Sequence, residues 1–285
     1  IQSGNDGQLD THGQTLTNRE SGKTGGILTG GALTLRTGDI DNQRGTLIGH
    51  GNITVAAGTL DNRAGTLASD TAHLSLTVGE THNQGGLLQA TTALTLDTQG
   101  QSLFNADSGE SGGIRSQGTL TLTSGTFDNQ RGVVVSSDMA RLTTTDLNNQ
   151  QGQLTGHGGL NLATHTLTNT AGRLQSDADL TMNTQGYALD NADSGEKGGI
   201  VTLKDLHLSS GHLNNQAGFI AAGGQADLEH IFAAGVADAL RAPHRHRGRA
   251  ARPPDHRPAR HRPRHDPRPR PRRRHRPRGR SGAPL

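Results

Sequence analysis

Residues 59–65, "TLDNRAG", decide the fold because close copies of this stretch return along the chain. "DIDNQRG" covers residues 39–45, "TFDNQRG" covers 126–132, "DLNNQQG" covers 146–152 and "HLNNQAG" covers 212–218. Each copy has an aliphatic residue two positions before an Asn and a Gly three positions after that Asn. A motif that recurs at a nearly fixed spacing is typical of a repeat protein.

The recurring Asn returns at intervals of 20 to 24 residues. Its positions are Asn18, Asn42, Asn62, Asn83, Asn105, Asn129, Asn149, Asn169, Asn191 and Asn215. Each unit also contains an apolar residue just after the Gly and an apolar pair at positions i and i+2, such as Leu33 and Leu35. A spacing of two is the spacing of side chains on one face of a strand, so each unit predicts three short strands and no helix.

Three strands in about 20 residues predict an all-β parallel β-helix of about ten to eleven coils over residues 1–228. The aliphatic residues are expected to point inward, and the Asn to adopt a turn conformation and bond its equivalents along the stack. The Gly is expected to supply a backbone shape that a side chain would block. The predicted structural repeat residues are Asn42, Asn62, Asn129, Asn149, Asn169, Asn215, Gly45, Gly65, Gly132, Gly152, Gly172, Gly218, Leu33, Leu35, Leu120, Leu122, Leu160 and Leu162.

A longer period overlies the short one. Insertions follow Asn18 ("RESGKTGG"), Asn105 ("ADSGESGG") and Asn191 ("ADSGEKGG"), and in these units the Gly comes eight residues after the Asn. The insertions lie 87 and 86 residues apart, which is four units. With strands about 4.8 Å apart, they are expected to recur every ~19 Å along one edge, and they are the best candidates for receptor contact because they protrude.

The composition limits the class of protein. The chain of 285 residues is 29% hydrophobic and 2% aromatic, with 41 glycines and no cysteine or tryptophan. Without cysteine it has no disulfide framework, thiolate metal site or Cys nucleophile. It starts at Ile1 with no charged-then-apolar leader and has no apolar run of 18 residues, so we expect a fragment whose secretion signal lies elsewhere and no membrane span.

Residues 241–285 have a different composition from the rest. They hold 17 of the 28 basic residues, 2 of the 25 acidic residues and all ten prolines. We predict that the repeat register is lost over residues 229–240 and that this Arg/Pro/His-rich tail is disordered, because it has few apolar residues to offset the entropy of ordering. The favoured interpretation is a frameshifted end. A basic tail is the alternative, and non-specific nucleic-acid binding through it is disfavoured.

No catalytic, cofactor-binding or metal-binding residues are predicted. The glycine-rich stretches 24–31 and 111–118 lack the Lys-Ser/Thr signature of a phosphate loop. His50 and His157 are interpreted as exposed turn residues. A β-helical carbohydrate-active enzyme would need paired carboxylates and aromatic platforms, and the only aromatic residues of the first 228 are Phe104, Phe127, Tyr187 and Phe219. The acidic residues in the insertions are interpreted as parts of solvated loops: Asp107, Glu110, Asp193 and Glu196.

The units "GTLIGHGNITVAAGTLDNRA" (45–64) and "GQLTGHGGLNLATHTLTNTA" (152–171) resemble the 20-residue repeats of filamentous haemagglutinin and related two-partner-secreted exoproteins, including contact-dependent inhibition stalks. The resemblance covers residues 1–228. It implies a right-handed β-helical shaft, a dedicated outer-membrane transporter as partner, and display on the bacterial surface or secretion. The Asn-Pro-Asn motifs of the family's secretion domain and a C-terminal toxin are not found, so the branch of the family stays open.

The function predicted from these observations is a structural and adhesive shaft that mediates cell adhesion or presents a distal toxin, with an unknown receptor. Two alternatives from other classes remain: an enzyme built on a β-helix, and nucleic-acid binding through the basic tail. Polysaccharide-degrading activity would favour the first, and salt-sensitive DNA binding that is lost without residues 241–285 would favour the second.

Overall fold

The computed structural model describes residues 1–22, 24–229 and 232–234, in which the chain forms 33 β-strands and no helix. The strands are numbered in chain order, and three successive strands form one coil, so β1–β3 are coil 1 and β31–β33 are coil 11. Every third strand belongs to the same sheet, and each strand pairs in parallel with its equivalents in the coils before and after it. The predicted parallel β-helix is therefore confirmed as a β-solenoid of eleven coils.

Sheet 1 holds the strand that follows the repeated Gly from coil 2 onward, together with β1. Its strands are β1 (Gln2–Ser3), β4 (Ile27–Thr29), β7 (Thr46–Gly49), β10 (Thr66–Ser69), β13 (Leu87–Ala90), β16 (Gly113–Ser116), β19 (Val133–Ser136), β22 (Gln153–Gly156), β25 (Arg173–Ser176), β28 (Gly199–Thr202) and β31 (Ile220–Ala222). Equivalent residues pair without a register shift, as Leu67 does with Leu47 and Leu88.

Sheet 2 holds the strand with the apolar pair at i and i+2. Its strands are β2 (Gly7–Asp10), β5 (Leu33–Arg36), β8 (Ile53–Ala56), β11 (Leu74–Thr77), β14 (Ala93–Asp97), β17 (Thr119–Ser124), β20 (Met139–Thr144), β23 (Gly159–Ala163), β26 (Leu180–Asn183), β29 (Leu206–Ser209) and β32 (Ala226–Glu229). The strands alternate buried apolar and outward polar residues, as the sequence pattern predicts.

Sheet 3 holds the short strand before the repeated Asn. Its strands are β3 (Leu16–Thr17), β6 (Ile40–Asp41), β9 (Leu60–Asp61), β12 (Thr81–His82), β15 (Leu103–Phe104), β18 (Phe127–Asp128), β21 (Leu147–Asn148), β24 (Leu167–Thr168), β27 (Ala188–Asp190), β30 (His212–Asn214) and β33 (Phe232–Ala234). Most of these strands have only two residues, so sheet 3 is the narrowest of the three faces.

The core is a column of aliphatic side chains that runs through the stack. Leu120 and Leu122 of β17 are at most 1% exposed, as are Leu160 and Leu162 of β23. Full burial of one such side chain contributes roughly 1.5–3 kcal/mol, and each coil adds several of them on top of the previous coil. The core is therefore linear, and its size grows with the number of coils.

The register of the last coil differs from the one that the sequence suggested for the end of the repeat. The predicted loss of register from residue 229 depended on taking Leu228 as the first member of an apolar pair, whose second position, residue 230, is a His. Instead Leu228 pairs with Leu208 and Ala226 pairs with Leu206, so Leu228 closes the pair. Strand β33 then pairs with β30. Alanine in place of leucine at position 226 hid this coil from the sequence pattern. The predicted tail, residues 241–285, lies outside the described residues.

In the described parts of the chain, no helix is long and apolar enough to cross a membrane.

Candidate interaction surface

The repeated Asn residues form a ladder along the inside of one corner, between sheets 3 and 1. From Asn18 to Asn215, each side-chain amide donates from Nδ2 to Oδ1 of the Asn in the next coil, at 2.6–2.8 Å. Asn149 is fully buried, and its Nδ2 also approaches the carbonyl oxygens of Gly152 and Arg173. The ladder satisfies buried polar groups, so these residues support the fold and are unavailable for binding a ligand.

The repeated Gly is required by close contact with the neighbouring coil. A Cβ at Gly152 would lie 2.2 Å from the carbonyl oxygen of Asn129 and 2.7 Å from Oδ1 of Asn149. The other predicted positions of this kind are equally confined: Gly45, Gly65, Gly132, Gly172 and Gly218.

The turn conformation that we expected at the Asn lies two residues after it. Arg44 has a φ of 51° and Ala64 a φ of 52°, and the equivalent residues of the other coils are also left-handed. In ten coils only Gly85 places a glycine there. The backbone N–H of Arg44 donates to the carbonyl of Arg63 in the next coil at 3.0 Å, and this bond holds the strained conformation.

Every fourth coil is longer than the others at two corners. Coils 1, 5 and 9, the long coils, carry the insertion after the Asn and a second extension between sheets 2 and 3. We call the insertions Ser turns (residues 19–26, 106–113 and 192–199, of which residue 23 is outside the described residues). We call the second extensions Thr turns (residues 11–14, 98–101 and 184–187). In coils 5 and 9 both turns flank the same strand of sheet 3, so that strand lies between two protrusions.

The Ser turn replaces a backbone acceptor with a side chain. In regular coils the repeated Gly accepts the next coil's N–H on its carbonyl, as Gly152 does from Arg173 at 2.8 Å. In long coils a Ser hydroxyl takes this place: Ser108 Oγ accepts from the N–H of Val133 at 2.8 Å. Ser21 and Ser194 make the same bond at 2.9 Å. The sequence signal is the "SG" that all three insertions share.

Replacing Ser108 with Ala is expected to lower the free energy of unfolding by about 1–3 kcal/mol, because the N–H of the half-buried Val133 loses its acceptor. Faster hydrogen exchange of the Val133 amide would measure the effect at the site. Ser137→Ala is the matched control, since Ser137 is exposed at another corner and its change is expected to stay within ~0.5 kcal/mol. Equal effects of the two changes would contradict this role of Ser108.

The Thr turn is a tight turn closed by its own side chains. Thr98 Oγ1 donates to the carbonyl of Gln101 at 2.6 Å, and Thr184 Oγ1 donates to that of Tyr187 at 2.7 Å. The two central residues are left-handed, with φ of 55° at Gln99 and 77° at Gly100. The sequence signal of this turn is Thr-His/Gln-Gly, which recurs in all three long coils but was not recognised as a turn from the Asn spacing.

Ion pairs join two of the Ser turns to the next coil. Arg131 Nε donates to Asp107 Oδ1 at 2.6 Å, and Arg44 Nε donates to Glu20 Oε2 at 2.9 Å. The hydrogen bond from the guanidinium lowers the pKa of Asp107, and the equivalent bond lowers the pKa of Glu20. Both pairs are exposed to solvent, so they contribute to the order of the turn more than to global stability.

Arg131→Ala is expected to raise the pKa of Asp107 towards its ordinary value of 3.8, because the carboxylate loses its hydrogen-bond donor. Since the folded-state pKa is depressed, the ion pair is intact above the ordinary pKa and is lost as the pH falls through the folded value. A carboxyl NMR titration measures the shift. Ala already occupies the equivalent left-handed position at Ala64 and Ala171, so the fold should tolerate the change.

The control for that titration is Arg141→Ala, an exposed change on sheet 2, which should leave the titration of Asp107 unaltered. An unshifted Asp107 in the Arg131 variant would show that the guanidinium is not the cause.

Two aromatic rings stack on histidines of the coil before them. Phe104 of coil 5 stacks on His82 of coil 4, with ring centroids 4.9 Å apart and an interplanar angle of 12°. Tyr187 of coil 9 stacks on His165 of coil 8, at 4.4 Å and 21°. Tyr187 is the last residue of its Thr turn and is 50% exposed. Phe127, in contrast, is fully buried in the core. Each stack therefore joins a long coil to the coil before it; the first lies within sheet 3 and the second at the corner before sheet 3.

The predicted exposed histidines lie at the corner between sheets 1 and 2. His50 is 64% exposed and lies 3.9 Å from Asp70, and His157 Nδ1 lies 2.5 Å from Asp177. The hydrogen bond with His157 lowers the pKa of Asp177. No group of three His, Asp or Glu side chains among the described residues is placed to hold a metal ion.

Two shallow hollows lie on the outer faces of the sheets. One of about 500 Å³ against sheet 1 is lined by Leu28, Ile48 and a single carboxylate, Asp70. One of about 190 Å³ against sheet 2 is lined by Asp227 and Glu229. In the carboxyl pair of a glycosidase, one carboxyl acts as the general acid because burial keeps it protonated. The Asp227 side chain is 48% exposed and so does not meet this requirement. The two hollows are therefore interpreted as shallow irregularities of the surface and not as active sites.

Comparison with known families gives one result. A family model described as "Haemagglutinin repeat" matches five overlapping stretches, residues 2–72, 72–102, 100–148, 140–186 and 171–229. The matches cover nearly all of the described solenoid. No curated protein and no solved structure matches the chain.

Proposed function

The chain belongs to the haemagglutinin repeat family, and from this premise we propose that it is part of an exported bacterial surface protein that acts in adhesion or in the delivery of a toxin. The family and the solenoid together identify the described coils as a structural shaft of a haemagglutinin-like protein. In the proposed function this shaft holds an adhesive or toxic module away from the cell.

The single observation that carries the proposal is the uninterrupted stack of eleven coils. Equivalent strands pair throughout, and the long coils extend outward without breaking a sheet. Such a stack defines a length and presents similar side chains at regular intervals, which is the geometry of a spacer with many weak contacts. Binding through many weak contacts gains strength from repetition, so each contact can be small.

The proposed partner for export is an outer-membrane two-partner-secretion transporter. The chain has no cysteine, so no disulfide has to be opened before the chain is threaded. The contacts of each coil are made with coils about 20 residues away in sequence. Folding can therefore proceed one coil at a time as the chain emerges.

Surface display is tested by labelling with a membrane-impermeant maleimide, because residues 1–285 contain no cysteine, and the unsubstituted full-length protein gives the background labelling. The full-length protein is produced with its transporter and carries Thr121→Cys, on the outward face of β17. We expect labelling on intact cells. Leu122→Cys is the matched control, since Leu122 is 1% exposed and should react only after unfolding. Labelling of the Thr121 variant only after lysis would contradict surface display.

The role of the shaft is tested by removing residues 106–191, one four-coil period, from the full-length protein. The deletion joins Asn105 to Ala192, which follows the equivalent Asn191, so the sheets keep their register. It shortens the shaft by ~19 Å. We expect either adherence to host cells or inhibition of neighbouring bacteria to decrease, while the amount of protein on the cell surface stays the same. The activity that decreases shows whether the protein acts in adhesion or in toxin delivery. If neither changes, the spacer function is wrong.

A further inference from the structure

The outer face of sheet 1 differs from that of sheet 2 because it is largely aliphatic. From coil 2 to coil 11, six of the ten residues in its central outward column are aliphatic, and all of these except Ala68 remain partly exposed. The six are Leu28, Ile48, Ala68, Val135, Val201 and Ala221. The equivalent column of sheet 2, from Gln8 to Asp227, has no aliphatic residue. An aliphatic face on an otherwise polar shaft indicates contact with another surface.

This face carries both a protruding leucine and a hollow. Leu203, at the corner between sheets 1 and 2 in coil 10, is 63% exposed, and the equivalent residue of coil 11 is Gly223, which has no side chain to cover it. The hollow of about 500 Å³ is lined by Leu28, Ile48 and Asp70 of coils 2–4. Coils 4 and 10 are ~29 Å apart along the stack, so Leu203 cannot fill the hollow of its own chain. A second copy of the chain can bring the two features together.

A two-fold axis that runs parallel to the strands through coil 7 produces this contact. It places coil 4 of one copy opposite coil 10 of the other, and coil 3 opposite coil 11. The two shafts then run in opposite directions, with their sheets 1 face to face and their equivalent corners on the same side. In the central column Ile48 faces Ala221, Ala68 faces Val201, and Val135 faces its own equivalent on the axis. The aliphatic residues of one copy therefore meet those of the other.

The charges on this face favour the antiparallel pair over a parallel one. In the antiparallel pair Arg115, the only charged residue of the central column, faces Thr155. Leu203 and Lys204 of coil 10 reach the end of the hollow that Asp70 borders, where the ammonium and the carboxylate attract each other. In a parallel pair each central residue would face its own equivalent, and the two Arg115 side chains would repel each other.

The protruding Ser turns also fit the antiparallel pair. The Ser turn of coil 9 (192–199) lies opposite the corner that follows coil 4, and that of coil 5 (106–113) lies opposite the corner that follows coil 8. Both of these corners are short. The first holds Gly85, where even an added Cβ would meet no atom within 4 Å. Each Ser turn therefore faces a low part of the other copy.

The size of the shared face sets the strength that we expect. Nine of the described coils overlap, which gives a face ~43 Å long, and four residues of each strand give a width of ~13 Å. The pair therefore buries roughly 1,100 Å² in total, the size of a weak and reversible interface. Asp138, exposed at a corner of coil 7, comes near its own equivalent on the axis and weakens the pair further.

We propose that the outer face of sheet 1 is the interface of an antiparallel homodimer of the shaft, centred on coil 7. This inference goes beyond the function proposed above, because it gives the shaft a second copy of itself as a partner. Shafts that approach from opposite directions can pair in this way, whereas neighbours that point in the same direction cannot.

The interface is tested in the full chain, which has no cysteine, by single cysteines and a short bis-maleimide cross-linker. Facing sheets pack ~10 Å apart, which is too far for a disulfide but within reach of this reagent. We expect Val135→Cys to form a cross-linked dimer. Thr143→Cys is the matched control, because it lies in the same coil on the outer face of sheet 2, and it should stay monomeric.

The direction of the two shafts is tested by a mixture of two variants. In the antiparallel pair Ile48 lies ~38 Å from its own equivalent, so Ile48→Cys alone should not be cross-linked. A mixture of Ile48→Cys with Ala221→Cys should give the cross-linked dimer, because coil 3 faces coil 11.

The charge contact is tested by sedimentation of the full chain over a range of concentrations. Lys204→Glu should weaken the association several-fold, and adding Asp70→Lys should restore it, because the attraction is then reversed in sign on both sides. Asp138→Asn should strengthen the association. Arg141→Glu is the matched control, since it makes the same change of charge on the outer face of sheet 2 and should have no effect.

Three results would overturn the proposal. The first is a chain that sediments as a monomer up to ~100 µM while its far-ultraviolet spectrum shows the strands intact. The second is cross-linking of Ile48→Cys alone, which requires a parallel pair. The third is an association that Lys204→Glu leaves unchanged, which would place another face at the interface. None of these results touches the labelling and deletion experiments, so a failure of the dimer and a failure of the shaft function are distinguishable.

Discussion

Replacing Asn149 with Ala is expected to lower the free energy of unfolding by about 2–4 kcal/mol, because the buried ladder is interrupted at its middle. Asn149 accepts from Asn129 and donates to Asn169, each at 2.7 Å. Its removal leaves the side-chain oxygen Oδ1 of Asn169 without the donor that the ladder supplies. It also removes the hydrogen bonds from Nδ2 to the carbonyl oxygens of Gly152 and Arg173, although the Gly152 carbonyl keeps the N–H of Arg173 as a donor.

The neighbouring Asn148 provides a matched control on the same strand. Its side chain points outward and donates to Asp128 at 3.1 Å in a half-buried position. Asn148→Ala should therefore cost less than ~1 kcal/mol. Denaturation of the two variants gives the difference, and hydrogen exchange should show faster opening of coils 6–9 only for Asn149→Ala. Similar losses of unfolding free energy in both variants would show that the buried ladder contributes no more to stability than an outward side-chain hydrogen bond.

Replacing Gly152 with Ala is the second large effect that we expect. A Cβ at this position would lie 2.2 Å from a backbone oxygen of Asn129, and backbone cannot move away as a flexible side chain can. The two coils must separate locally, which strains the sheets on both sides of the corner. Overpacking of this kind costs about 1–3 kcal/mol and occasionally more, and contact with backbone places Gly152 at the upper end.

Gly4→Ala is the control for this change, because a Cβ at Gly4 has no atom within 4 Å and its φ is not left-handed. It should alter the free energy of unfolding by less than ~0.5 kcal/mol, since Ala also restricts the unfolded chain. Thermal or denaturant unfolding of both variants decides the question. A Gly152 variant as stable as the Gly4 variant would show that the coils have room for a methyl group at the corner.

The sequence was sufficient for the features that depend on one residue type at a fixed spacing. Leucine pairs such as Leu160 and Leu162 can only bury both side chains on one face of a strand, and the structure has them in the core. The column of Asn residues follows from the parallel stack, because equivalent side chains then lie next to each other. These features repeat in almost every coil, so the pattern was visible above the variation at other positions.

The left-handed residue of the corner was not predictable in the same way. Arg, Ala, Gln, Asp and Glu all occupy it, so no residue type marks the position. Local preference alone disfavours this conformation for all of them. The bond from the N–H of Arg44 to the next coil shows that tertiary structure imposes it. The signal that remains in the sequence is the repeated Gly that follows. Its role is to leave room for the backbone of the neighbouring coil.

The turns of the long coils were predicted only in part. The insertions were recognised by length, but the acceptor role of Ser108 depends on where its hydroxyl meets the next coil. The Thr turns add two residues, which is the difference between intervals of 20 and 22 in the Asn positions. The aromatic stacks also depend on structure, since Tyr187 and His165 are separated by 21 residues in the chain and meet only because successive coils lie on each other.

The direction of the hydrogen bonds has a mechanical consequence. In all three sheets the strands lie across the stack, so the backbone bonds between coils run along it. A pulling force on the shaft therefore loads these bonds directly, and the terminal coil is the first to detach. One detached coil of about 20 residues releases up to ~70 Å of extended chain in exchange for ~5 Å of stack. A shaft built in this way unfolds one coil at a time under tension. The unfolding dissipates a sudden load before the attachments at the two ends of the shaft break.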